Sequence, residues 1–288
     1  MNRMDDFMCD AEVQWCPGCP NYGILNAFKR ALTDLGLKPQ DICLVSGIGQ
    51  AAKFPHYLKC NFFNGLHGRA IPAALGIHTA NPRLTTIVTT GEGDCYGEGG
   101  NHFIHALRRN PNITIVVHNN EFYALTKGQA SPTTRLGEKR SLQTQGVEIS
   151  PINMPAIAMV HDCTFVARGF AGEIDHLSAI LVKAIKHPGL SYVEVLQPCI
   201  TWGYHPLSWH KARVDKLKDD YDPGNRDAAL KKVMETSERI PIGILYQGTP
   251  RIAYADRFRK EINDKPFAEL KPLAQEKMTA FLSRYKVD

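Results

Sequence analysis

The sequence predicts an α/β protein built on a doubly wound, mostly parallel sheet. Two observations lead to this prediction. Short apolar runs have the continuous hydrophobicity of strands that are buried on both faces of a sheet. Segments with the apolar spacing of helices lie between these runs, and an alternation of strand and helix is typical of parallel sheets. The apolar runs are Ile42–Val45, Thr85–Val88, Ile113–Val117 and Ser191–Leu196.

The remaining elements are placed by periodicity and by composition. A first helix follows an early cysteine pair, with Asn21 as its predicted N-cap and with Ile24, Leu25, Phe28, Leu32 and Leu35 at helical spacing. Two more segments, 164–167 and 240–246, resemble strands. Further helices are expected over His102–Arg109, Ile174–Ala184 and Arg226–Glu235.

The C-terminal part of the chain has a different character. Residues 202–225 are polar, aromatic and proline-bearing, which predicts an irregular segment. The tail, 255–288, is charged and is expected to be helical. We therefore predict one domain over 1–235 and an irregular C-terminal extension over 236–288, packed on that domain or on a partner.

Composition restricts the classes of function. The 288 residues are 43% hydrophobic and 22% charged, which is typical of globular proteins. No stretch approaches about 18 consecutive apolar residues, and the N-terminus lacks the apolar core of a secretory signal. We expect a cytoplasmic protein without a membrane span. The net charge of +5 is dispersed, so nucleic acid is not an expected partner, whereas an acidic partner or anionic substrate is compatible with it.

The strongest local motif is the cysteine pair in Trp15-Cys16-Pro17-Gly18-Cys19. A gap of two residues lets both thiolates reach one metal ion or one cluster. A thioredoxin-like redox pair and a zinc site are alternatives. The first normally follows a strand, and the second requires another pair of ligands at a suitable spacing. An iron–sulfur cluster accepts scattered further ligands and is therefore favoured.

The other six cysteines differ in their surroundings. Cys43 and Cys163 lie in or beside apolar strands and are expected in the core. Cys60 and Cys199 follow apolar segments and fall in loops, so both are candidate ligands. The remaining two are Cys9, in the N-terminal segment, and Cys95, in a glycine-rich loop.

Polar residues follow two neighbouring predicted strands. Gly91-Glu92-Gly93-Asp94 comes after one strand, and Asn119-Asn120 comes after the next. Carboxylate and amide oxygens are ligands that suit Mg²⁺, and the glycines let the backbone approach a phosphate closely. The spacing from Glu92 to Asn120 matches the thiamine diphosphate motif, in which the metal bridges the diphosphate. Two ordinary loops are the alternative interpretation.

Two further segments lie near the expected strand ends. Gly65-Leu66-His67-Gly68-Arg69 begins a predicted helix, where His67 and Arg69 could bind phosphate. Ser46-Gly47-Ile48-Gly49-Gln50 leads to Lys53, which could pair with a substrate carboxylate. Taken alone, each has an ordinary structural interpretation, a capped helix in the first case and a solvated lysine in the second.

Together these segments resemble the β subunit of 2-oxoacid:ferredoxin oxidoreductases, and most closely the 2-oxoglutarate type. The resemblance runs in order across about two-thirds of the chain. It rests on WCPGCPNYGILNAF (15–28), SGIGQAAKFPHY (46–57), GLHGRAIPAALG (65–76), GEGDCYGEGGNHF (91–103), HNNEFYALTKGQASPTT (118–134) and LQPC (196–199).

The resemblance implies a fold, cofactors and partners. It implies the diphosphate-binding half of a thiamine diphosphate-binding fold, one [4Fe–4S] cluster and Mg²⁺. A separate α subunit would supply the pyrimidine-binding half and the activating glutamate, in an αβ or (αβ)₂ assembly. The implied reaction is oxidative decarboxylation of 2-oxoglutarate with coenzyme A to succinyl-CoA and CO₂, with electrons passing through the cluster to ferredoxin.

The resemblance also implies roles for individual residues. The metal ligands would be Glu92, Asn120 and the backbone carbonyl of Phe122, with Asp94 as the alternative carboxylate. Lys53, Leu125 and Lys127 would shape the substrate pocket. The cofactor would be contacted by Gly49, His67, Gly91, Gly93, Asp94, Asn120 and Thr126.

Two positions depart from the family pattern. Glu92 stands where the thiamine motif usually has Asp, and Gln50 stands where many members have a third cluster cysteine. The cluster then has three protein ligands, or another cysteine takes over. Our expected set is Cys16, Cys19, Cys60 and Cys199.

Other functions remain alternatives at this point. One is an oxidoreductase of the same family with broad or pyruvate-type specificity. Another is a non-oxidative thiamine-dependent decarboxylase or carboligase whose cysteines are structural. A third is an electron-transfer module with a cluster and no thiamine, against which the pairing of Glu92 with Asn120 argues.

Overall fold

A computed structural model describes residues 4–235, 239–259 and 265–285 of the chain. Within these ranges a main sheet of eight strands and a separate two-stranded ribbon are formed. The strands are β1 (Ile42–Ser46), β2 (Asn61–Asn64), β3 (Thr85–Gly91), β4 (Thr114–Asn119), β5 (Phe122–Tyr123), β6 (Gln129–Ala130), β7 (Phe165–Phe170), β8 (Ser191–Leu196), β9 (Val214–Lys216) and β10 (Ile240–Gln247).

The main sheet has the strand order β2-β1-β3-β4-β8-β7-β10-β9. Its first six strands run parallel to one another, and β10 pairs with β7 in the antiparallel direction. The predicted α/β class with a mostly parallel sheet is therefore confirmed. Because β1, β3 and β4 are neighbours, the loops after them meet at one edge of the sheet.

Helices cover both faces of the sheet and bury two apolar cores. The helices are α1 (Asn21–Asp34), α2 (Ala70–Ala80), α3 (Gly100–Arg109), α4 (Met154–Val160), α5 (Ile174–Lys186), α6 (Leu207–Lys211), α7 (Arg226–Met234), α8 (Asp256–Arg259) and α9 (Gln275–Ser283). One core packs α1 and α5 on the sheet through residues such as Phe28 and Leu177, and the other packs α2, α3 and α4 through residues such as Phe103 and Met159. No helix in the described ranges is long and apolar enough to cross a membrane.

The structure differs from the sequence prediction in several elements. Asn21 is the first residue of α1 and not its N-cap, which is Pro20. The segment 202–225, expected to be irregular, contains the short helix α6 and the edge strand β9. The strand β2 and the helix α4 were not predicted, because the exposed Asn-Phe-Phe-Asn of β2 lacks a strand pattern and α4 is short.

The C-terminal extension joins the main sheet through β10, which lies between β7 and β9. The tail that was expected to be helical contains α8 and α9 within the described residues. Residues 236–238, at the predicted domain boundary, and 260–264 and 286–288, in the tail, lie outside the described residues. The division of the chain at residue 236 stays a prediction.

A buried ion pair joins two central strands. Arg168 of β7 lies directly beside Glu194 of β8 in the parallel register. Its Nε donates a hydrogen bond of 2.7 Å to the Glu194 carboxylate, whose other oxygen accepts one of 3.0 Å from the Asn119 amide. Both charged side chains are largely buried, so loss of one partner leaves the other charge uncompensated.

We therefore predict that Arg168→Leu lowers the free energy of unfolding by about 3–5 kcal/mol, the usual cost of stranding one member of a buried ion pair. Urea-induced unfolding followed by circular dichroism measures this loss. The matched control is Asp175→Asn, which removes the exposed pair between Arg30 and Asp175 and is expected to change the same free energy by about 0–1 kcal/mol. Equal effects of the two substitutions would contradict a structural role for the buried pair.

Candidate active site

The loops that follow the first four strands enclose a cavity, here named the carboxyl-end cavity. It has a volume of about 90 Å³. A complete pocket for a small molecule commonly has about 300–1,000 Å³, so this cavity is smaller than such a pocket. The cavity is lined by Ile48, Gly49, Gln50, Ala51, His67, Gly91, Glu92, Gly93, Asp94, His118, Asn120, Phe122, Tyr123, Ala124, Leu125 and Thr126.

The Asp94 carboxylate ties three of these loops together. It accepts hydrogen bonds from the backbone N–H groups of Gly68 at 2.7 Å and Ile48 at 3.3 Å. The Thr90 hydroxyl donates a third bond of 2.6 Å. A Cβ atom at Gly47 would overlap the same carboxylate, so glycine is required there. Asp94 therefore holds the loops after β1 and β2 against the end of β3.

Glu92 connects the loop after β3 with the loop after β4. Its carboxylate accepts hydrogen bonds from the backbone N–H groups of Phe122 at 2.9 Å and Asn120 at 3.4 Å. The side chain is buried, and burial raises the pKa of the Glu92 carboxyl to about 7, against the lowering effect of its hydrogen bonds. A bound cation would favour the ionised form of this group.

These residues fit a divalent metal and a diphosphate. The Glu92 carboxylate and the Asn120 amide line the same cavity, and both are oxygen ligands of the kind that Mg²⁺ prefers. At Gly93 a Cβ atom would overlap the Tyr123 ring, so the backbone there approaches its neighbours as closely as glycine allows. Gly49, with a φ of 119°, supplies a turn that other residues rarely adopt.

Other predicted cofactor contacts lie around the same cavity. His67 Nδ1 is 3.3 Å from the Asp94 carboxylate. Thr126 donates a hydrogen bond to the Gln129 side chain at 2.6 Å, and the neighbouring Leu125 is half exposed at the cavity wall. Of the predicted substrate residues, the structure thus places Leu125 at the cavity.

Two predicted substrate residues are not placed there. The Lys53 ammonium lies 3.5 Å from the backbone carbonyl of Gln14, on the N-terminal segment. Lys127 is exposed and has a positive φ of 83°. Neither lines the carboxyl-end cavity. Their role in the substrate pocket stays a prediction.

The structure adds His118, which sequence reasoning missed. The ring is buried at the end of β4 and lines the cavity. Its Nδ1 is 2.8 Å from the Asn21 side-chain oxygen, and burial lowers the pKa of the imidazole to about 3. A neutral imidazole therefore supports this wall. Its position directly before Asn119-Asn120 was the feature of the sequence that could have indicated a place in the site.

A second cavity, here named the cysteine cavity, adjoins the first. It has a volume of about 40 Å³ and shares Gln50, Asn120 and Ala124 with the carboxyl-end cavity. Three of the four predicted cluster cysteines, Cys16, Cys19 and Cys199, line it. The full lining is Trp15, Cys16, Cys19, Asn21, Gln50, Asn120, Ala124, Gln197, Cys199, Ile200, Thr201 and Trp202.

Each of these three sulfur atoms accepts a hydrogen bond. The Thr201 hydroxyl donates to Cys16 Sγ at 3.3 Å, and the backbone N–H of Trp202 donates to Cys199 Sγ at 3.4 Å. The third donor is the side-chain amide of Gln197, which lies 3.7 Å from Cys19 Sγ. Such donors stabilise thiolates and cluster sulfur atoms.

Local backbone geometry brings the first two thiols together. The N–H of Cys19 bonds to the carbonyl of Cys16 at 3.0 Å, and Gly18 takes a φ of 78° within this turn. Burial raises the pKa of the Cys19 thiol to about 11, and the charges of Cys199 and Cys16 add to this. A cationic cluster core would reverse the effect, because a coordinating thiol is deprotonated.

Cys60 is not brought to this cavity. Its neighbours are Cys43 and Cys9, and burial raises the pKa of its thiol to about 12. In the part of the chain that the structure describes, no group of three or more His, Cys, Asp or Glu side chains could hold a single metal ion. The thiols that line the cysteine cavity are those of Cys16, Cys19 and Cys199, without Cys60.

Gln197 is a second residue that sequence reasoning missed. The side chain is buried, and its oxygen lies 3.4 Å from the Asn120 amide nitrogen while its own nitrogen faces Cys19. It thus connects a candidate metal ligand with a candidate cluster ligand. Its place in Leu-Gln-Pro-Cys, directly after β8, was the available signal.

Two protein families match consecutive parts of the chain. Residues 46–195 match the thiamine pyrophosphate enzyme, C-terminal TPP binding domain. Residues 199–262 match the C-terminal region of the pyruvate ferredoxin oxidoreductase beta subunit. The first match covers all the residues that line the carboxyl-end cavity, and the second begins at a cysteine of the cysteine cavity.

Curated relatives and a solved structure agree with these matches. A 2-oxoacid:ferredoxin oxidoreductase subunit beta from Saccharolobus solfataricus is 46% identical over 258 residues, which are 84% of each chain. The 2-oxoglutarate synthase subunit KorB from Methanothermobacter marburgensis is 32% identical, over 87% of this chain and 88% of that one.

One similar solved structure is a 2-oxoglutarate:ferredoxin oxidoreductase from Magnetococcus marinus with 2-oxoglutarate, coenzyme A and succinyl-CoA bound. It superposes with a TM-score of 0.90 at 29% identity, covering 97% of this chain and 96% of that one. The resemblance inferred from the sequence is confirmed. The chain belongs to the family of 2-oxoacid:ferredoxin oxidoreductase β subunits, oxidoreductase components that work together with an α subunit.

Proposed function

We propose that this β subunit serves a 2-oxoglutarate:ferredoxin oxidoreductase, which converts 2-oxoglutarate and coenzyme A to succinyl-CoA and CO₂ and passes the electrons to ferredoxin. The observation that carries the proposal is the shared wall of the two cavities. Gln50, Asn120 and Ala124 line both the cavity suited to a diphosphate and metal and the cavity that holds three thiols. Oxidative chemistry needs an electron acceptor this close to the reacting centre.

The chain's own residues would hold the thiamine cofactor through its metal and diphosphate. Glu92, Asn120 and the Phe122 carbonyl would coordinate Mg²⁺, with glycine backbone and His67 beside the phosphates. When bound, thiamine diphosphate supplies the nucleophilic carbon that breaks the bond between the keto carbon and the carboxylate of a 2-oxoacid. The buried Glu92 and His118 side chains are held in this wall by hydrogen bonds to Phe122 N–H and to the Asn21 side chain.

The cysteine cavity would hold the electron acceptor, a [4Fe–4S] cluster. Cys16, Cys19 and Cys199 are its proposed ligands, each already paired with a hydrogen-bond donor. The donors favour the reduced, more negative state of a bound cluster and so raise its reduction potential. This function of the cavity distinguishes the proposal from a non-oxidative thiamine enzyme.

The substrate assignment rests on relatives and on one side chain. Several relatives have names that specify 2-oxoglutarate, and Lys53 offers a cation for the second carboxylate of that substrate. Lys53 now faces Gln14, so its flexible side chain must turn toward the pocket when the substrate binds. Broad 2-oxoacid use is the competing proposal, because other relatives have names that specify only a 2-oxoacid.

The proposed assembly is αβ or (αβ)₂ in the cytoplasm, with ferredoxin as the acceptor. The carboxyl-end cavity of about 90 Å³ leaves room for only part of the cofactor, and the α subunit would complete the site. The net charge of +5 suits an acidic protein partner such as a ferredoxin.

Analysis of the αβ complex purified without oxygen tests the proposal. Iron, sulfide, magnesium and thiamine diphosphate are quantified, and reduction of ferredoxin is measured with 2-oxoglutarate or pyruvate as substrate. All four components with a preference for 2-oxoglutarate are expected. Thiamine without iron would indicate the non-oxidative class, and iron without thiamine would indicate an electron-transfer module.

Asn120→Ala is predicted to weaken the binding of Mg²⁺ and thiamine diphosphate by at least about tenfold, because it removes an oxygen ligand and a hydrogen bond to Gln197. Calorimetric titration of the αβ complex with the cofactor and Mg²⁺ measures the affinity. Asn101→Ala, on the exposed side of α3, is the matched control and should leave the affinity unchanged. Unaltered binding by Asn120→Ala would remove this residue from the site.

Lys53→Ala is predicted to lower kcat/KM for 2-oxoglutarate by about 10–150-fold, the equivalent of losing one charge-assisted hydrogen bond. The value for pyruvate, which lacks the second carboxylate, should change little. Steady-state assays with both substrates measure the ratio. Lys59→Ala, an exposed lysine nearby, serves as the control. Equal losses for both substrates would exclude Lys53 from recognition of the second carboxylate.

A further inference from the structure

The cysteine cavity is lined by three thiols, whereas a [4Fe–4S] cluster has four iron atoms that each take a ligand. All eight cysteines of the chain lie within the described residues. Cys16, Cys19 and Cys199 line the cavity, and no other cysteine does. Cys95 and Cys163 are buried in the core, and Cys9 contacts the backbone carbonyl of His56 at 3.4 Å.

Cys60 does not replace the missing thiol. It lies just before the edge strand β2, close to Cys43 of β1 and to Cys9. Its side chain packs against the core beneath α1. To reach the cysteine cavity, Cys60 would have to leave this packing and displace the start of β2.

Gln50 lines the cysteine cavity beside the three cysteines. Its backbone carbonyl accepts a hydrogen bond of 2.9 Å from Trp15 Nε1, directly before Cys16. Trp15 is itself fixed, with its ring edge-on to Tyr57 at 4.8 Å. The Gln50 side-chain oxygen is buried and has no hydrogen-bond partner among the described residues. Gln50 thus brings an unpaired amide oxygen to a cavity lined by thiols.

An amide oxygen differs from a thiolate as a ligand of iron. Thiolates are soft, anionic ligands that suit iron–sulfur clusters, whereas a neutral carbonyl oxygen is hard and binds such iron weakly. We propose that the cluster is held by the thiolates of Cys16, Cys19 and Cys199 only, and that its fourth iron faces the Gln50 amide and is exchangeable. This inference rests on the proposed function, because it presupposes that the cavity binds a cluster.

An iron atom without a thiolate ligand would be lost from the cluster on oxidation. On oxidation, a [4Fe–4S]²⁺ core that gives one electron to an oxidant such as ferricyanide becomes [4Fe–4S]³⁺, which releases Fe²⁺ and leaves [3Fe–4S]⁺. Three thiolates are sufficient to hold the product. Addition of Fe²⁺ and an electron donor reverses the change.

The test uses the αβ complex, reconstituted anaerobically with iron and sulfide and then treated with ferricyanide. Iron content and electron paramagnetic resonance are the readouts, and Cys16→Ala gives the background from clusters elsewhere in the complex. For the native chain, we expect the β-subunit iron to fall from about four to about three atoms, together with the paramagnetic signal of an oxidised [3Fe–4S] core.

Two variants make the test specific. Gln50→Cys supplies a fourth thiolate and should retain about four iron atoms without that signal. Cys60→Ser should behave like the native chain in both readouts. A native cluster that keeps its iron and remains silent after oxidation would overturn the inference, and so would loss of iron in Cys60→Ser before any oxidant is added. If the native complex and Cys16→Ala both lack β-subunit iron, the proposed function itself fails.

Discussion

The candidate site depends on one buried carboxylate. Asp94 receives hydrogen bonds from two backbone N–H groups, in the loops after β1 and β2, and from one hydroxyl, near the end of β3. Charge-assisted hydrogen bonds of this kind contribute about 1.5–3 kcal/mol each. These bonds offset the free-energy cost of burying the carboxylate. They also fix the segments that carry Gln50 and His67 at the same edge of the sheet as Glu92.

This use of Asp94 separates two carboxylates that are two residues apart in the sequence. The oxygens of Asp94 are directed at donors in the loops after β1 and β2, whereas Glu92 faces the loop after β4, which carries Asn120 and Phe122. Both side chains line the cavity, but only Glu92 adjoins the other candidate metal ligands. The contacts therefore favour Glu92 as the metal ligand and give Asp94 the task of positioning the loops.

The sequence was sufficient for four adjacent strands of the sheet because buried parallel strands are continuous apolar runs, and β1, β3, β4 and β8 each have such a run. The sequence was insufficient where two interacting side chains lie far apart along the chain. Asn21 has the chemistry of an N-cap, yet its side chain pairs with His118, 97 residues away. The same limit applied to Cys60, whose place in a loop fitted a ligand, although only tertiary packing shows that it lies beside Cys43.

The two cavities are adjacent, and hydrogen bonds through the Gln197 side chain connect them. The Asn120 amide contacts the oxygen of Gln197, and the nitrogen of Gln197 contacts Cys19 Sγ. A buried amide that donates at one end and accepts at the other is polarised by a change of charge at either end. Because Gln197 is almost fully buried, water does not screen this effect. A cation bound beside Asn120 would therefore influence the sulfur of Cys19, and a change of charge at the sulfur would in turn influence the metal ligand.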